Sequence, residues 1–149
     1  MPIGEICNRE VVLVKLEDSV LTAACLMRQH HVGDVLVVEG RNEERVPLGI
    51  VTDRDIIMEV VAPELDPRTI TVGDIMALDF FTLNASAGIS ETIGYMHSKA
   101  VRRMPIVDDH GALVGIVTLD DLLVLLSEEL GTLAKLVERE RQQELVARH

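Results

Sequence analysis

Two stretches of the sequence set a hydroxyl and a carboxylate at the same spacing, Gly49-Ile50-Val51-Thr52-x-x-Asp55 and Gly115-Ile116-Val117-Thr118-x-x-Asp121. Each reads as a strand that ends where a helix begins, with Thr at the N-cap and Asp three residues on. That is a capping box with Asp in place of the usual Glu or Gln. The pattern has two uses. As structure, Thr52 and Thr118 accept bonds from backbone N–H groups, and the carboxylates favour the positive helix end. As chemistry, the free N–H groups of a helix start and the Thr hydroxyl meet a phosphate, while the carboxylate accepts both hydroxyls of a ribose. The second combination suits a nucleotide, and Arg54 adds a cation able to hold phosphate in a bidentate grip. On local sequence the two uses stand level.

Other chemistry is weakly signalled. His30, His31, His97 and His110 have no Cys or carboxylate at ligand spacing, so they read as surface histidines and no metal site is expected. Ser19, Ser86, Ser90, Ser98 and Ser127 lack a Gly-x-Ser-x-Gly context, and neither Gly-x-x-x-x-Gly-Lys nor Gly-x-Gly-x-x-Gly occurs. Asp53, Asp55, Asp120 and Asp121 have the chemistry for an acid–base or Mg²⁺ centre. Their appearance in two copies argues for binding instead, so no catalytic residue is expected. Cys7 and Cys25 read as small buried hydrophobes.

The elements that position these residues come in duplicate. Ile3-Gly4-Glu5-Ile6-Cys7 corresponds to Val72-Gly73-Asp74-Ile75-Met76, an offset of 69 that also relates Met27 to Met96, Val32 to Val101 and Val38 to Val107. After a loop at Gly40–Arg45, longer by three residues in the first copy, the two Gly-Ile-Val-Thr runs are offset by 66. The first copy spans residues 3–62 and the second 71–130, with residues 63–70 as linker and 131–149 as a C-terminal helical extension. Each copy opens with an extended run, Val11–Val14 or Phe80–Leu83. A helix follows, Ser19–His31 or Ile89–Ala100, in which Val20, Ala23, Ala24, Met27 and His31 keep helical spacing. Two buried strands come next, around Val35–Val38 and Leu48–Val51 or Ile106–Val107 and Leu113–Val117, and then a second helix. The fold class is α+β, a β-α-β-β-α motif twice over. Three strands and ~60 residues are marginal alone, so the copies should pack on each other. Beyond Thr118 a broad leucine stripe continues, with Gly131 expected to break or kink it, and part of this surface is expected to meet a second subunit.

Composition narrows the partners. The chain has 149 residues, 48% apolar and 2% aromatic, which excludes wholesale disorder and implies an aliphatic core. Twenty-five acidic against 14 basic residues give a formal charge of −11, the wrong sign for a phosphate backbone, so no nucleic acid is expected. No apolar run reaches membrane-spanning length and the start lacks a signal-peptide pattern, so the expectation is no membrane contact and a cytoplasmic protein.

Two copies in this order, each ending in Gly-Ile-Val-Thr-x-x-Asp, resemble the tandem pair of CBS domains, the cystathionine β-synthase module. Thr52-Asp53-Arg54-Asp55-Ile56 and Met104-Pro105-Ile106-Val107-Asp108 carry the likeness, which covers about residues 3–130. It implies a pseudo-twofold pair with two clefts for adenosine-containing ligands such as AMP, ADP, ATP or S-adenosylmethionine. It also implies a homodimer through helices, and signalling to a protein target by conformational change, with no cofactor required. In the first cleft the resemblance gives Asp55 the ribose and Thr52 with Arg54 the phosphate. Backbone near Val12-Leu13 and Gly33-Asp34-Val35 would border the base. In the second, Asp121 takes the ribose and Thr118 the phosphate, while Phe81-Thr82 and Arg103-Met104-Pro105 line the adenine slot. The copies differ: Arg54 is matched by Asp120, Arg103 by Asp34 and Arg102 by Gly33. Arg54, Arg102 and Arg103 could therefore converge across the pseudo-twofold, in either cleft. The rival expectation is a ligand-free scaffold that associates through its helices and uses the Thr and Asp pairs only as caps.

Overall fold

Runs of β-branched residues become strands where the sequence places them, and the helices between them begin at capping side chains. The computed structural model describes residues 1–41, 44–77 and 79–147, which divide into two compact units, Met1–Val117 and Thr118–His149. In the first copy, β1 (Leu13–Val14) precedes α2 (Val20–His30), β2 (Asp34–Arg41), β3 (Glu44–Thr52) and α3 (Asp53–Ile56), which continues as a π-helical turn at Ile57–Val61. In the second copy, β4 (Leu83–Asn84) precedes α5 (Ile89–Lys99), β5 (Arg103–Val107) and β6 (Leu113–Thr118). Each copy also has a four-residue helix at its start, α1 (Ile3–Ile6) and α4 (Val72–Ile75). The sheets are three-stranded and mixed, in the orders β1-β2-β3 and β4-β5-β6. β1 pairs parallel to β2, β4 pairs parallel to β5, and β2 pairs antiparallel to β3 with Asp34 opposite Thr52.

The helix α2 shows why the sequence pattern works. Ser19 accepts the Thr22 N–H at 3.1 Å, satisfying one orphan donor, and Val20, Ala23 and Met27 then fall on one buried face. From that face Ala23 and Met27 pack with Val14, Val35, Val37 and Val51 into an aliphatic core, which Val72 of α4 completes from the other copy. Burying a Val of this kind stabilises by roughly 1.5–3 kcal/mol.

The contribution of Val72 is half of a reciprocal exchange. Main-chain N–H groups of α4 reach the first copy: Val72 donates to the Asp18 carbonyl at 2.9 Å and Gly73 to the Leu16 carbonyl at 3.1 Å. The helix α1 does the same on the second copy, with Ile3 donating to Ala87 at 2.7 Å and Gly4 to Ala85 at 3.0 Å. Every partner in one set lies 69 positions from its counterpart in the other. The copies therefore pack on each other, as their size demanded, by lending each other their opening helices.

Two details depart from the sequence reading. Gly40, Arg41, Glu44 and Arg45 were read as loop, yet β2 runs to Arg41 and β3 starts at Glu44, because the ladder continues past an irregularity at Val37/Val38. Asn42 and Glu43 of that loop lie outside the described residues. Gly131 does not break the last helix: α6 runs continuously over Leu119–Ala147. A single interior Gly costs about 1 kcal/mol relative to Ala, which neighbours of good helix propensity such as Leu130, Leu133, Ala134 and Lys135 absorb.

Close backbone approach is built into the exchange. A Cβ at Gly115 would sit 2.5 Å from the Asn8 carbonyl oxygen and 2.8 Å from Cys7 Sγ, whereas one at Gly49 would meet the Met76 thioether at 2.7 Å. Main chain cannot step aside and a Met side chain can. Gly115→Ala should therefore destabilise by about 1–3 kcal/mol and Gly49→Ala by clearly less, measured by urea unfolding.

Candidate functional site

The end of β3 and the start of α3 bring the Thr and Asp of the first motif together. Asp55 Oδ2 accepts the Thr52 N–H at 2.9 Å, and Thr52 Oγ1 accepts the Asp55 N–H at 3.2 Å. Thr118 and Asp121 repeat the arrangement at the start of the C-terminal unit, at 3.2 and 3.1 Å. A third box, Thr71 with Asp74, has bonds of 3.0 and 3.3 Å. Its signal, Thr-x-x-Asp, was present at residues 71–74. All three pairs serve as caps.

Beside the first box lies a cleft of about 340 Å³, within the range of small-ligand sites. The first copy lines it with Ile50, Thr52, Asp53 and Arg54; the second with Asp79, Phe80, Phe81, Val101, Arg102, Arg103 and Pro105. The three arginines singled out from the sequence thus face one space. So do both phenylalanines of the chain. Lys99 Nζ stands 4.8 Å from the centre of the Phe81 ring and 5.6 Å from that of Tyr95, cation–π contacts that fix the aromatic wall.

This grouping differs from the expected partition. Thr52 and Arg54, assigned to one site, share the cleft with Phe81, Arg102, Arg103 and Pro105, the last three from the run assigned to the base slot of the other site or its neighbour. Gly33 and Asp34 border it: the Gly33 carbonyl accepts the Asp53 N–H at 2.9 Å, and Asp34 pairs with Arg103. Val12 and Leu13 are committed to the first sheet, where the Val12 carbonyl accepts the Leu36 N–H and Leu13 registers with Leu36. Val35 and Met104 are fully buried, so only their main chain could meet a ligand. Asp55 and Thr82 do not line the cleft. Ile50, Asp53, Asp79, Phe80 and Val101 were missed, although Phe80 adjoins Phe81 in the only aromatic pair of the sequence.

Charge is distributed unevenly around this wall. Among the described residues no carboxylate pairs with the exposed Arg54 guanidinium. Arg103 Nε, in contrast, donates to Asp34 Oδ2. Burial pushes the Asp34 carboxyl above the ordinary value near 3.8, the charge and hydrogen bond of Arg103 pull it back, and Asp53 adds to the rise. Among the described residues no three His, Cys, Asp or Glu side chains come together as a metal cluster, and no helix is long and apolar enough to cross a membrane.

Comparison with known proteins places this architecture. The model of the CBS domain family matches residues 3–62 and again 72–128. Uncharacterized protein MK0525 of Methanopyrus kandleri is 36% identical over 121 residues, which span 81% of this chain and 60% of that protein. Hypoxic response protein 1 of Mycobacterium tuberculosis is 36% identical over 118 residues, 79% of this chain and 80% of its own length. A crystal structure of Hypoxic Response Protein I with two coordinated zinc ions matches at 33% identity and a TM-score of 0.70, covering 83% of this chain and 97% of that one. The CBS domain pair of protein MJ0100, in complex with 5-methylthioadenosine and S-adenosyl-L-methionine, shares the fold at 21% identity and a TM-score of 0.73, over 87% and 98% of the two chains.

The raised Asp34 carboxyl has a consequence for stability. It binds a proton more readily folded than unfolded, so its contribution grows as pH falls from the raised value to about 3.8 and is lost as pH rises through that window. The stability of the parent relative to Asp34→Asn should therefore increase on acidification, read by urea unfolding across the carboxylate range. A difference that shrinks would mean that the attraction of Arg103 outweighs burial.

Proposed function

The chain belongs to the CBS domain family, and from that premise we propose that it is a regulatory module that takes an adenosine-containing ligand in the cleft between its two motifs. CBS pairs commonly act as regulatory ligand-binding modules. What carries the reading here is the composition of one wall: three arginines and the only two phenylalanines of the chain around a space of about 340 Å³. Guanidinium groups grip phosphate in a fixed fork, and aliphatic and aromatic side chains take a purine face. The cleft also carries the carboxylates of Asp53 and Asp79, and Arg103 is paired with Asp34, so in a chain of formal charge −11 the attraction of an anion falls to close contact with Arg54 rather than to a net positive field. The binding of 5-methylthioadenosine and S-adenosyl-L-methionine by the MJ0100 pair points to the same ligand class. The Thr52 hydroxyl, on the cleft wall, would then meet phosphate, and Asp55, which does not line this cleft, acts as the cap that holds Thr52 in place. The role is binding and signalling rather than catalysis: a ligand that contacts both copies biases their arrangement, provided it binds one arrangement better than another. The signal would pass to a protein target in the cytoplasm.

Isothermal titration with AMP, ATP and S-adenosylmethionine tests this reading. At least one should bind, and Arg54→Ala should weaken a phosphate-bearing ligand about tenfold while changing stability by less than ~0.5 kcal/mol. Heat from none of the three would refute it.

Association with a second copy is supported by a separate observation. Ile57 and Met58 are 57% and 52% exposed, and their counterparts 66 positions on, Leu123 and Val124, are 56% and 59% exposed. Aliphatic pairs repeated on the helix of each copy fit an isologous dimer. Sedimentation should show a dimer that Met58→Asp with Val124→Asp dissociates. If the dimer forms but no nucleotide binds, the scaffold reading prevails.

A further inference from the structure

Asp34 and Arg103 hold the same place in the two copies, 69 positions apart, and they meet across the boundary between them. Asp34 opens β2 opposite Thr52, and Arg103 opens β5 and lines the cleft. Their side chains are 23% and 36% exposed, so the pair is held partly out of water yet within reach of a ligand. A second carboxylate, that of Asp53, lies on the same wall and repels Asp34.

We propose that Asp34 is a specificity-determining residue, an internal anion that occupies Arg103 and competes with the phosphate of an entering ligand. The proposal rests on the reading of the cleft as an adenosine-ligand site. A guanidinium has five N–H donors, but its charge is shared once a carboxylate sits on it. A phosphate approaching Arg103 must either face the Asp34 carboxylate at close range or displace it. Displacement leaves Asp34 partly buried beside Asp53 without its counter-ion, which is unfavourable. Either way the opposition falls on the charged part of the ligand and spares its nucleoside. The pair also links the two copies, so a phosphate that displaces Asp34 removes one of the ties between them.

The test compares AMP with adenosine by isothermal titration on the parent, Asp34→Asn and Asp34→Ser, each confirmed folded by circular dichroism. Two substitutions of different shape keep the test open if one folds poorly. Removing the carboxylate should tighten AMP about tenfold and change adenosine by less than about twofold. If the parent binds AMP and the variants bind it no more tightly, or tighten adenosine equally, the role of Asp34 is overturned while the cleft reading stands. If parent and variants bind neither compound, this proposal falls, and the cleft reading falls with it only where ATP and S-adenosylmethionine also give no heat.

Discussion

Neither copy of the repeat closes its own core, and the rest of the Met1–Val117 unit follows from that constraint. Val72, Ile75 and Met76 belong to the second copy by sequence and to the core of the first by packing. Fully buried Ile3 shows the converse dependence, since α1 is tied by its main chain to Ala85 and Ala87. A short helix of four residues has almost no stability of its own, because nucleation is unfavourable and too few bonds follow to offset it. Each such helix exists here because its N–H groups and aliphatic side chains are used by the neighbouring copy. The copies are thus fixed against each other by main-chain bonds, and a wall shared between them becomes a defined place for a ligand.

This constraint explains which parts of the fold could be read from sequence. Strands such as Val35–Val38 announce themselves through β-branched runs, and α2 through its cap and spacing. The offset of 69 reveals the duplication whatever the structure. The four-residue helices give no periodic signal, so Ile3–Ile6 and Val72–Ile75 were visible as a repeated motif and not as helices. Nor does a linear repeat say which copy a segment packs on. Gly131 misled for the opposite reason: propensity is a local penalty, and a 29-residue helix carries enough favourable residues to override it.

The site was legible in its ingredients and illegible in its assembly. Hydroxyl and carboxylate positions and Arg54 follow from the motif, while for Arg54, Arg102 and Arg103 the sequence allowed convergence without assigning them to a cleft. Their partition between clefts depends on the path of the chain between copies, which no local pattern encodes. The box at Thr71 and Asp74 is instructive here. It shows the same Thr-x-x-Asp geometry in residues that do not line the cleft beside Thr52, so the motif alone marks a helix start and acquires a further role only through its surroundings. In Thr52 those surroundings are the aromatic and cationic residues of the other copy.

The pairing of Asp34 with Arg103 follows from the geometry of duplication itself. In a pseudo-twofold arrangement, most equivalent positions are far apart, but those near the axis meet their own counterparts. Two identical charged residues there would repel at contact, Asp against Asp or Arg against Arg, with little water to screen them. The copies can place charge at this point only if they diverge to opposite signs, as positions 34 and 103 do. A symmetric assembly of two identical single motifs has no such option. Tandem duplication in one chain therefore permits an asymmetric polar contact at the centre of an otherwise repeated structure. That contact lies beside the cleft, where an anion would compete for one of its partners.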